Sequence, residues 1–328
     1  MSSDDGSGTL ASLPFLVPTV QAAFAVRLIS ARQEFLLPAL LKHVATLDIT
    51  AIDNELHSYA GSGKLKPLAV AGLRGELLYP VPMILSGKPS LLAYYRLLLG
   101  ISQKEFSKSP LATFMSMETR DVITPKLEGM LPDLCRQLTA SAWILLSGLP
   151  EVSQDFLNAL GLLTYGAQLR GSYNTKLGQD ATKLVFKHIR SLVQASIQEE
   201  DDTALVVRNA AGREVRIEFA PDPDIAIREK LGSGRLNNRI AIEIKGGRDR
   251  ANIHNRLGEA EKSHQNARNQ HFTQFWTMVN VSHFDIESAA KESPTTTAFY
   301  VIDEILNPKS PKHSEFKELI LSELGIGA

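Results

Sequence analysis

Residues 221–247, PDPDIAIREKLGSGRLNNRIAIEIKGG, contain the pattern that decides the fold. Isoleucine occupies every second position in two runs, which comprise Ile225, Ile227, Ile240, Ile242 and Ile244. Because successive side chains of a β-strand point to opposite faces, each run predicts a strand whose isoleucines share one buried face. A loop rich in Gly, Ser and Asn separates the two strands, and Gly246-Gly247 ends the second.

The other faces of these two strands carry charged residues. Asp222 and Asp224 share a face of the first strand, and Glu243 and Lys245 share a face of the second. If the strands are neighbours, these side chains lie on one surface, where the carboxylates repel one another unless a cation neutralises them. Carboxylate oxygens together with water suit Mg²⁺. A lysine beside the metal could orient or deprotonate an attacking water, so the set is suited to phosphodiester hydrolysis.

A solvent-exposed strand face with Glu and Lys is the simpler interpretation of Glu243 and Lys245, because cross-strand pairs of this kind are common. Three features favour a functional site. Pro223-Asp224 opens an apolar strand, and Asp224 precedes Glu243 by 19 residues. The second strand is nearly continuous Ile and Ala, as in the interior of a sheet, and its two terminal glycines permit close approach to a ligand. Glu218, on the preceding predicted strand, is either an auxiliary acid or an exposed strand residue.

The hydrophobic period changes along the chain. Apolar residues recur at three- and four-residue intervals in the first half, which predicts helices at residues 20–44, with an interruption at Pro38, and at 89–99, 131–146, 156–163 and 180–199. From about residue 200 the period is 2, which predicts strands at residues 204–207, 213–219, 224–228, 239–245, 272–281 and 297–302, with helices at 253–269 and 314–324. We therefore expect an α/β fold, a mixed β-sheet flanked by helices, with a helical N-terminal region.

Composition excludes several classes of protein. Hydrophobic residues make up 44% and charged residues 22% of the 328, so disorder is not the main state. Cys135 is the only cysteine, which excludes a disulfide framework and fits a reducing compartment. No uncharged apolar run reaches ~18 residues, and the acidic N-terminus is unlike a secretory signal. We expect a cytoplasmic protein with no membrane partner.

The two motif segments resemble a known family. Pro223-Asp224 followed by Glu243-Ile244-Lys245 resembles the PD-(D/E)xK motif of nucleases. The resemblance to type II restriction endonucleases extends beyond this motif. Residues 242–268, IEIKGGRDRANIHNRLGEAEKSHQNAR, and 91–106, LLAYYRLLLGISQKEF, resemble the XcyI-type enzymes. The resemblance implies a restriction-endonuclease-like core, Mg²⁺ as cofactor, the recognition sequence CCCGGG, products with 5′-phosphate and 3′-hydroxyl ends, and a bacterial cytoplasm.

The resemblance also implies roles for individual residues. Asp224 and Glu243 take the places of the two acidic metal ligands, and the carbonyl of Ile244 is a further ligand. Lys245 takes the place of the lysine beside the attacking water, so the implied catalytic set is Asp224, Glu243 and Lys245. Asp222 also follows a proline and shares the face of Asp224, and it stays an alternative metal ligand. Asp224 is preferred because the apolar strand begins directly after it.

A basic segment follows the motif. Residues 226–270 contain ten Lys and Arg against five Asp and Glu, a local excess of +5 in a chain of net charge −1. Arginine pairs with guanine and asparagine with adenine in the major groove, so the predicted DNA-binding residues are Arg248, Arg250, Asn252, His254, Asn255 and Arg256. The alternative is a solvated loop before a polar helix. A second predicted DNA-facing loop, LRGSYNTKLG at residues 169–178, contains Arg170, Tyr173, Asn174 and Lys176.

Other sites are excluded or assigned to the core. The spacings of His254, His264 and His271 match no compact zinc pattern. Residues 232–234, GSG, lack the Gly-Lys-Ser/Thr ending of a P-loop, so no ATP requirement is expected. Trp143 and Trp276 are predicted core residues.

The prediction is a Mg²⁺-dependent, sequence-specific endonuclease of double-stranded DNA. A palindromic target matches a two-fold symmetric enzyme, so we expect a homodimer. Residues 1–170 are predicted to form the helical region, which supplies the dimer contact or a clamp on DNA, and residues 171–328 the catalytic core. The alternatives are a structure-selective or repair nuclease on the same core and a catalytically silent DNA-binding protein.

Overall fold

The computed structural model of the protein describes residues 18–247, 252–281 and 284–327. The chain divides into two compact units, Met1–Arg170 and Gly171–Ala328. The described part of the first unit folds into helices. They are α1 Thr19–Glu34, α2 Leu37–Val44, α3 Ile49–Tyr59, α4 Gly61–Val70, α5 Pro82–Gly87, α6 Leu92–Leu98, α7 Gln103–Phe106, α8 Met115–Arg120, α9 Pro125–Gly148 and the first part of α10 Gln154–Val193, with short 3₁₀ turns at Gly75–Leu77, Pro89–Leu91 and Pro110–Phe114.

Local sequence signals explain several boundaries in this unit. The predicted break before Pro38 separates α1 from α2, and Gly100, with a positive φ of 76°, follows the end of α6. Ser102 and Glu105 form a capping box at the start of α7. The predicted start of α9 at residue 131 is wrong. The helix begins at Pro125, because the hydroxyl of Thr124 caps it by accepting the N–H of Leu127.

No single helix among the described residues is long and apolar enough to cross a membrane. Residues Thr19–Val44 and Ile49–Tyr59 reach that length and composition only together, with a bend of 119° between them.

The second unit is built on one seven-stranded sheet in the order β1-β2-β3-β4-β5-β6-β7. The first five strands are antiparallel, and β5, β6 and β7 are parallel. The strands are β1 Ile197–Glu200, β2 Ala204–Arg208, β3 Glu214–Phe219, β4 Ile225–Lys230, β5 Leu236–Lys245, β6 Gln274–Val279 and β7 Ala298–Val301. The helices that follow α10 are α11 Ile253–Asn269, α12 Ile286–Glu292, α13 Ile302–Leu306 and α14 Pro311–Leu324, and a 3₁₀ turn lies at Gln194–Ser196. The predicted mixed α/β sheet with a helical N-terminal region is confirmed.

The predicted alternation of β4 and β5 is what the structure shows. All five isoleucines of the two runs are buried in one cluster, together with residues of α10 and α14 such as Val185 and Phe316. On the opposite face, Ala226 and Ala241 are buried with Ala267 of α11. Both faces of these strands are therefore covered, which explains their near-continuous apolar sequence.

The loop predicted at residues 169–178 is not present in the structure, where these residues are helical. Arg170, Tyr173, Asn174 and Lys176 lie within α10, which is a single helix of 40 residues. The glycines of this segment cost only about 1 kcal/mol each relative to alanine in a helix, and the apolar residues on either side continue the helix through them. The helix predicted to reach residue 199 ends earlier, because residues 197–200 pair with β2 as an edge strand.

Candidate active site

The residues of the predicted motif meet where β4 begins and β5 ends. Ile225 of β4 pairs with Ile242 of β5, and the next position of this antiparallel register aligns Asp224 with Glu243. Asp224 Oδ2 accepts the main-chain N–H of Ile244 over 2.7 Å. Lys245 Nζ donates to Glu243 Oε1 over 2.8 Å. The structure thus brings together the three side chains that the sequence singled out, on the face of the sheet that packs against α11.

Helix α11 completes this cluster from the other side. Ser263 Oγ lies 2.9 Å from Glu243 Oε2 and within hydrogen-bond distance of Asp222 Oδ1, so its single proton is shared between the two carboxylates. Asn266 Nδ2 donates to Asp222 Oδ2 over 3.1 Å. Sequence reasoning missed Ser263 and Asn266. Their spacing on the predicted helix, beside Ala267 on its buried face, was the available signal, but the strand that this face would meet could not be identified from it.

The cluster holds more negative than positive charge. Burial and, to a lesser extent, the nearby Glu243 carboxylate raise the pKa of Asp224 to about 6. Burial alone would lower the pKa of Lys245, but the charge and hydrogen bond of Glu243 outweigh it and the net shift is upward. Glu259 of α11 adds a fourth carboxylate, 3.5 Å from Lys245 Nζ. A site of this charge favours a cation.

Hard oxygen donors at this position suit Mg²⁺, which binds one or two carboxylates and keeps several waters. No group of three His, Cys, Asp or Glu side chains in the described residues is arranged to hold a metal ion. The residues predicted to bind the metal, Asp224, Glu243 and the carbonyl of Ile244, offer two carboxylates and one carbonyl oxygen. Asp222 Oδ2 accepts a hydrogen bond from Asn266 and Oδ1 lies against the Ser263 hydroxyl, whereas Asp224 Oδ1 accepts no hydrogen bond within the described chain. This difference favours Asp224 over Asp222 as the ligand.

Comparison with known proteins identifies the family of the chain. The model of the family described as XcyI restriction endonuclease matches residues 25–327. The chain belongs to this family. Two curated relatives are each 43% identical over 320 residues. The type II restriction enzyme Cfr9I of Citrobacter freundii matches over 96% of this chain and 97% of its own length, and the type II restriction enzyme XcyI of Xanthomonas campestris pv. cyanopsidis over 96% of each. The sequence-based assignment to the type II restriction endonucleases is confirmed.

The described members of the predicted DNA-binding set of this restriction endonuclease lie around the start of α11. Arg248 and Arg250 lie outside the described residues. Asn252, directly before the helix, and Asn255, in its first turn, are exposed. His254 is exposed and pairs with Glu292 of α12, and Arg256 donates to the carbonyl of Gly247. The described members of the set thus lie at one end of α11, where His254 and Arg256 contact other parts of the chain.

The glycine pair after β5 makes room for protein groups. A Cβ at Gly246 would lie 2.4 Å from the Cβ of Ala181 and 2.9 Å from the carbonyl oxygen of Leu177, both on α10. A Cβ at Gly247 would overlap the guanidinium of Arg256. The glycines were expected to permit approach of a ligand; in the structure they permit approach of α10 and of Arg256.

Other singled-out residues lie elsewhere in the restriction endonuclease. Glu218 of β3 pairs with Arg216, over 2.6 Å, and with Arg228. Trp276 is buried in the sheet core, and Trp143 is partly buried against the core of the helical unit. His264 is buried on α11, where its Nε2 lies 2.8 Å from Thr277 Oγ1.

Proposed function

We propose that this restriction endonuclease hydrolyses double-stranded DNA in a Mg²⁺-dependent reaction at a palindromic GC-rich sequence such as CCCGGG. The products would carry 5′-phosphate and 3′-hydroxyl ends. The observation that supports the chemistry is the cluster of Asp224, Glu243 and Lys245 at the β4–β5 end. The recognition sequence rests on the resemblance to the XcyI-type enzymes.

Each residue of the cluster has a distinct part in this proposal. Asp224, Glu243 and the carbonyl of Ile244 would hold Mg²⁺, which when bound lowers the pKa of water and stabilises charge on phosphate oxygens. Lys245 would donate hydrogen bonds at the point of attack on phosphorus, which orients water and offsets negative charge. Burial of the cluster between sheet and helix strengthens these electrostatic interactions relative to water.

We propose that residues 248–256 form part of the DNA interface. Arg248, Arg250, Asn252, His254, Asn255 and Arg256 would contact phosphates and base edges close to the acidic cluster. Most contacts of this kind bind phosphate and position the duplex, so binding is expected to weaken with salt. We propose a homodimer in the bacterial cytoplasm with no ATP requirement, in which the helical unit supplies the dimer contact or a clamp on DNA.

Digestion of plasmid DNA tests the proposal. Purified protein is incubated with plasmid in Mg²⁺ or EDTA, with and without ATP, and the fragment ends are sequenced. Discrete Mg²⁺-dependent fragments that end at CCCGGG support it, and light scattering of the same sample tests the dimer. Random nicking would favour a structure-selective or repair nuclease. No cleavage, with retained DNA binding, would favour a catalytically silent protein.

A further inference from the structure

One face of α11 is directed at the acidic cluster. Glu259, Ser263 and Asn266 are spaced four and three residues apart, which places them on one side of a helix. Each contacts a residue of the β4–β5 end: Glu259 contacts Lys245, Ser263 contacts Glu243, and Asn266 contacts Asp222. The cluster is therefore built from both sheet and helix.

Ser263 occupies the centre of this face. It is 8% exposed, and its hydroxyl lies within hydrogen-bond reach of both Glu243 and Asp222. Glu243 accepts from Lys245 on Oε1, and its Oε2 shares the single proton of the Ser263 hydroxyl with Asp222, so donors on two different elements hold its two oxygens. Rotation of the carboxylate would break at least one of these bonds. Of the two donors, only Ser263 also reaches Asp222.

We propose that Ser263 is a positioning residue of the cleavage reaction, which fixes the orientation of the Glu243 carboxylate for metal binding. The inference rests on the proposed Mg²⁺-dependent function. Groups that hydrogen-bond a metal ligand orient it, and their loss commonly lowers metal affinity or activity by about 10- to 100-fold. Without Ser263, the carboxylate is held on one oxygen only and reorients away from the geometry that the cation requires.

The test compares Ser263→Ala, Ser263→Thr and Ser191→Ala with the wild type. Ser191 is a matched control because it is a helical serine whose hydroxyl donates only to a main-chain carbonyl, that of His188, over 2.6 Å. Mn²⁺ binding to the DNA-free full-length protein is measured by electron paramagnetic resonance of the free ion. Cleavage is measured as kcat and KM for plasmid DNA over a range of Mg²⁺ concentrations, and thermal unfolding in EDTA controls for folding.

Ser263→Ala is expected to weaken Mn²⁺ binding by about 10- to 100-fold and to lower kcat at limiting Mg²⁺, with KM for DNA unchanged. Ser263→Thr keeps the hydroxyl and is expected to recover most of the affinity, and Ser191→Ala to match the wild type. Unchanged Mn²⁺ affinity in Ser263→Ala would overturn the inference. Equal losses in the Ala and Thr variants, both folded, would also overturn it, because packing would then explain the effect.

The outcomes separate this inference from the proposed function. A wild-type protein that cleaves only with Mg²⁺, beside a Ser263→Ala variant of unchanged metal dependence, refutes the positioning role alone. A wild-type protein that binds no Mn²⁺ and cleaves without divalent metal refutes both.

Discussion

Lys245 donates a hydrogen bond to Glu243 two positions earlier on the same strand, with 2.8 Å between Nζ and Oε1. The two side chains are 13% and 11% exposed. Because burial opposes the charge of Lys245 but Glu243 more than restores it, the pKa of Lys245 is raised. The lysine is therefore a cation at neutral pH in the DNA-free protein. This favours a role in orienting water and offsetting negative charge over a role in removing a proton.

Replacement of Lys245 by alanine is expected to lower the rate of DNA cleavage by about 10²- to 10³-fold, the range for loss of one preorganised donor that stabilises developing negative charge. DNA affinity in Ca²⁺ should be retained, since the lysine's partners are carboxylates within the chain. Single-turnover cleavage and fluorescence anisotropy measure the two effects.

Lys230 provides a matched control for Lys245. It lies on the adjacent strand β4 and pairs with Glu214 over 2.9 Å, but both side chains are about half exposed. Lys230→Ala is expected to cleave at the wild-type rate. Equal cleavage by the two variants would contradict the assignment of Lys245 to the active site.

Asp224 makes the metal-free protein less stable as pH rises. Its pKa is raised from an unfolded-state value near 4 to about 6, so the folded state binds the extra proton between these values. The contribution of this tighter proton binding to the free energy of unfolding is fully present below pH 4 and is lost as pH rises through 6. Asp224→Asn removes the titration and keeps an acceptor for Ile244 N–H. In EDTA at pH 8, the free energy of unfolding of Asp224→Asn should exceed that of the wild type by about 1–3 kcal/mol, with a higher urea midpoint. At pH 4 the two midpoints should be nearly equal.

Asp201 is a control of opposite sign. Hydrogen bonds from the side chain and main chain of Thr203 and from the N–H of Ala204 lower its pKa. Asp201→Asn is therefore expected to lower the urea midpoint at pH 8, and by less at pH 4. If Asp224→Asn also destabilised the protein at pH 8, the ionised Asp224 carboxylate would not lower the free energy of unfolding in the way that its raised pKa indicates.

The parts of the fold that the sequence predicted are those governed by local period. Alternating isoleucines at 225–227 and 240–244 give the correct faces of β4 and β5, because burial on one face requires that spacing whatever the neighbours are. The predicted α11, residues 253–269, matches its observed bounds. The motif likewise placed Asp224, Glu243 and Lys245 together, since an antiparallel register aligns the start of one strand with the end of the next.

The parts that were missed depend on contacts between distant segments. Ser263 and Asp222 are 41 residues apart, and their contact follows from the packing of α11 on the sheet. The continuous α10 was missed because its glycines are typical of loops, while flanking apolar residues sustain the helix. Gly246 was interpreted as an opening for ligand, although its space is filled by Ala181, which lies 65 positions earlier in the chain.

The helical unit contains a buried ion pair whose loss should destabilise the protein. Arg96 donates from Nε and Nη2 to the two carboxylate oxygens of Glu118, over 2.7 and 2.9 Å, and both side chains are 2% exposed. Arg96→Ala leaves a buried charge without its partner, which costs about 3–5 kcal/mol. Glu118→Ala should cost a similar amount, and the double variant less than the sum. Urea unfolding measures all three.

The exposed pair of Arg136 and Asp133 is the control for that ion pair. Its N–O distance is also 2.7 Å, but the side chains are 60% and 82% exposed. Asp133→Ala is expected to change stability by about 0–1 kcal/mol, because solvent screens exposed charges. Similar effects of Arg96→Ala and Asp133→Ala would show that burial does not set the energy of the first pair.

Gly246 couples packing to activity at the end of β5. An alanine Cβ there would lie 2.4 Å from Ala181 Cβ and 2.9 Å from the Leu177 carbonyl, and neither helix atom can rotate away. Gly246→Ala must therefore displace α10 or the end of β5, at a cost of about 1–3 kcal/mol. Because Lys245 is the preceding residue, a displacement of ~1 Å there could lower cleavage about 10²-fold. Gly232→Ala, whose Cβ would meet no atom within 4 Å, should leave both unfolding and cleavage unchanged. Normal cleavage by Gly246→Ala would mean that the end of β5 accommodates the methyl group without moving the site.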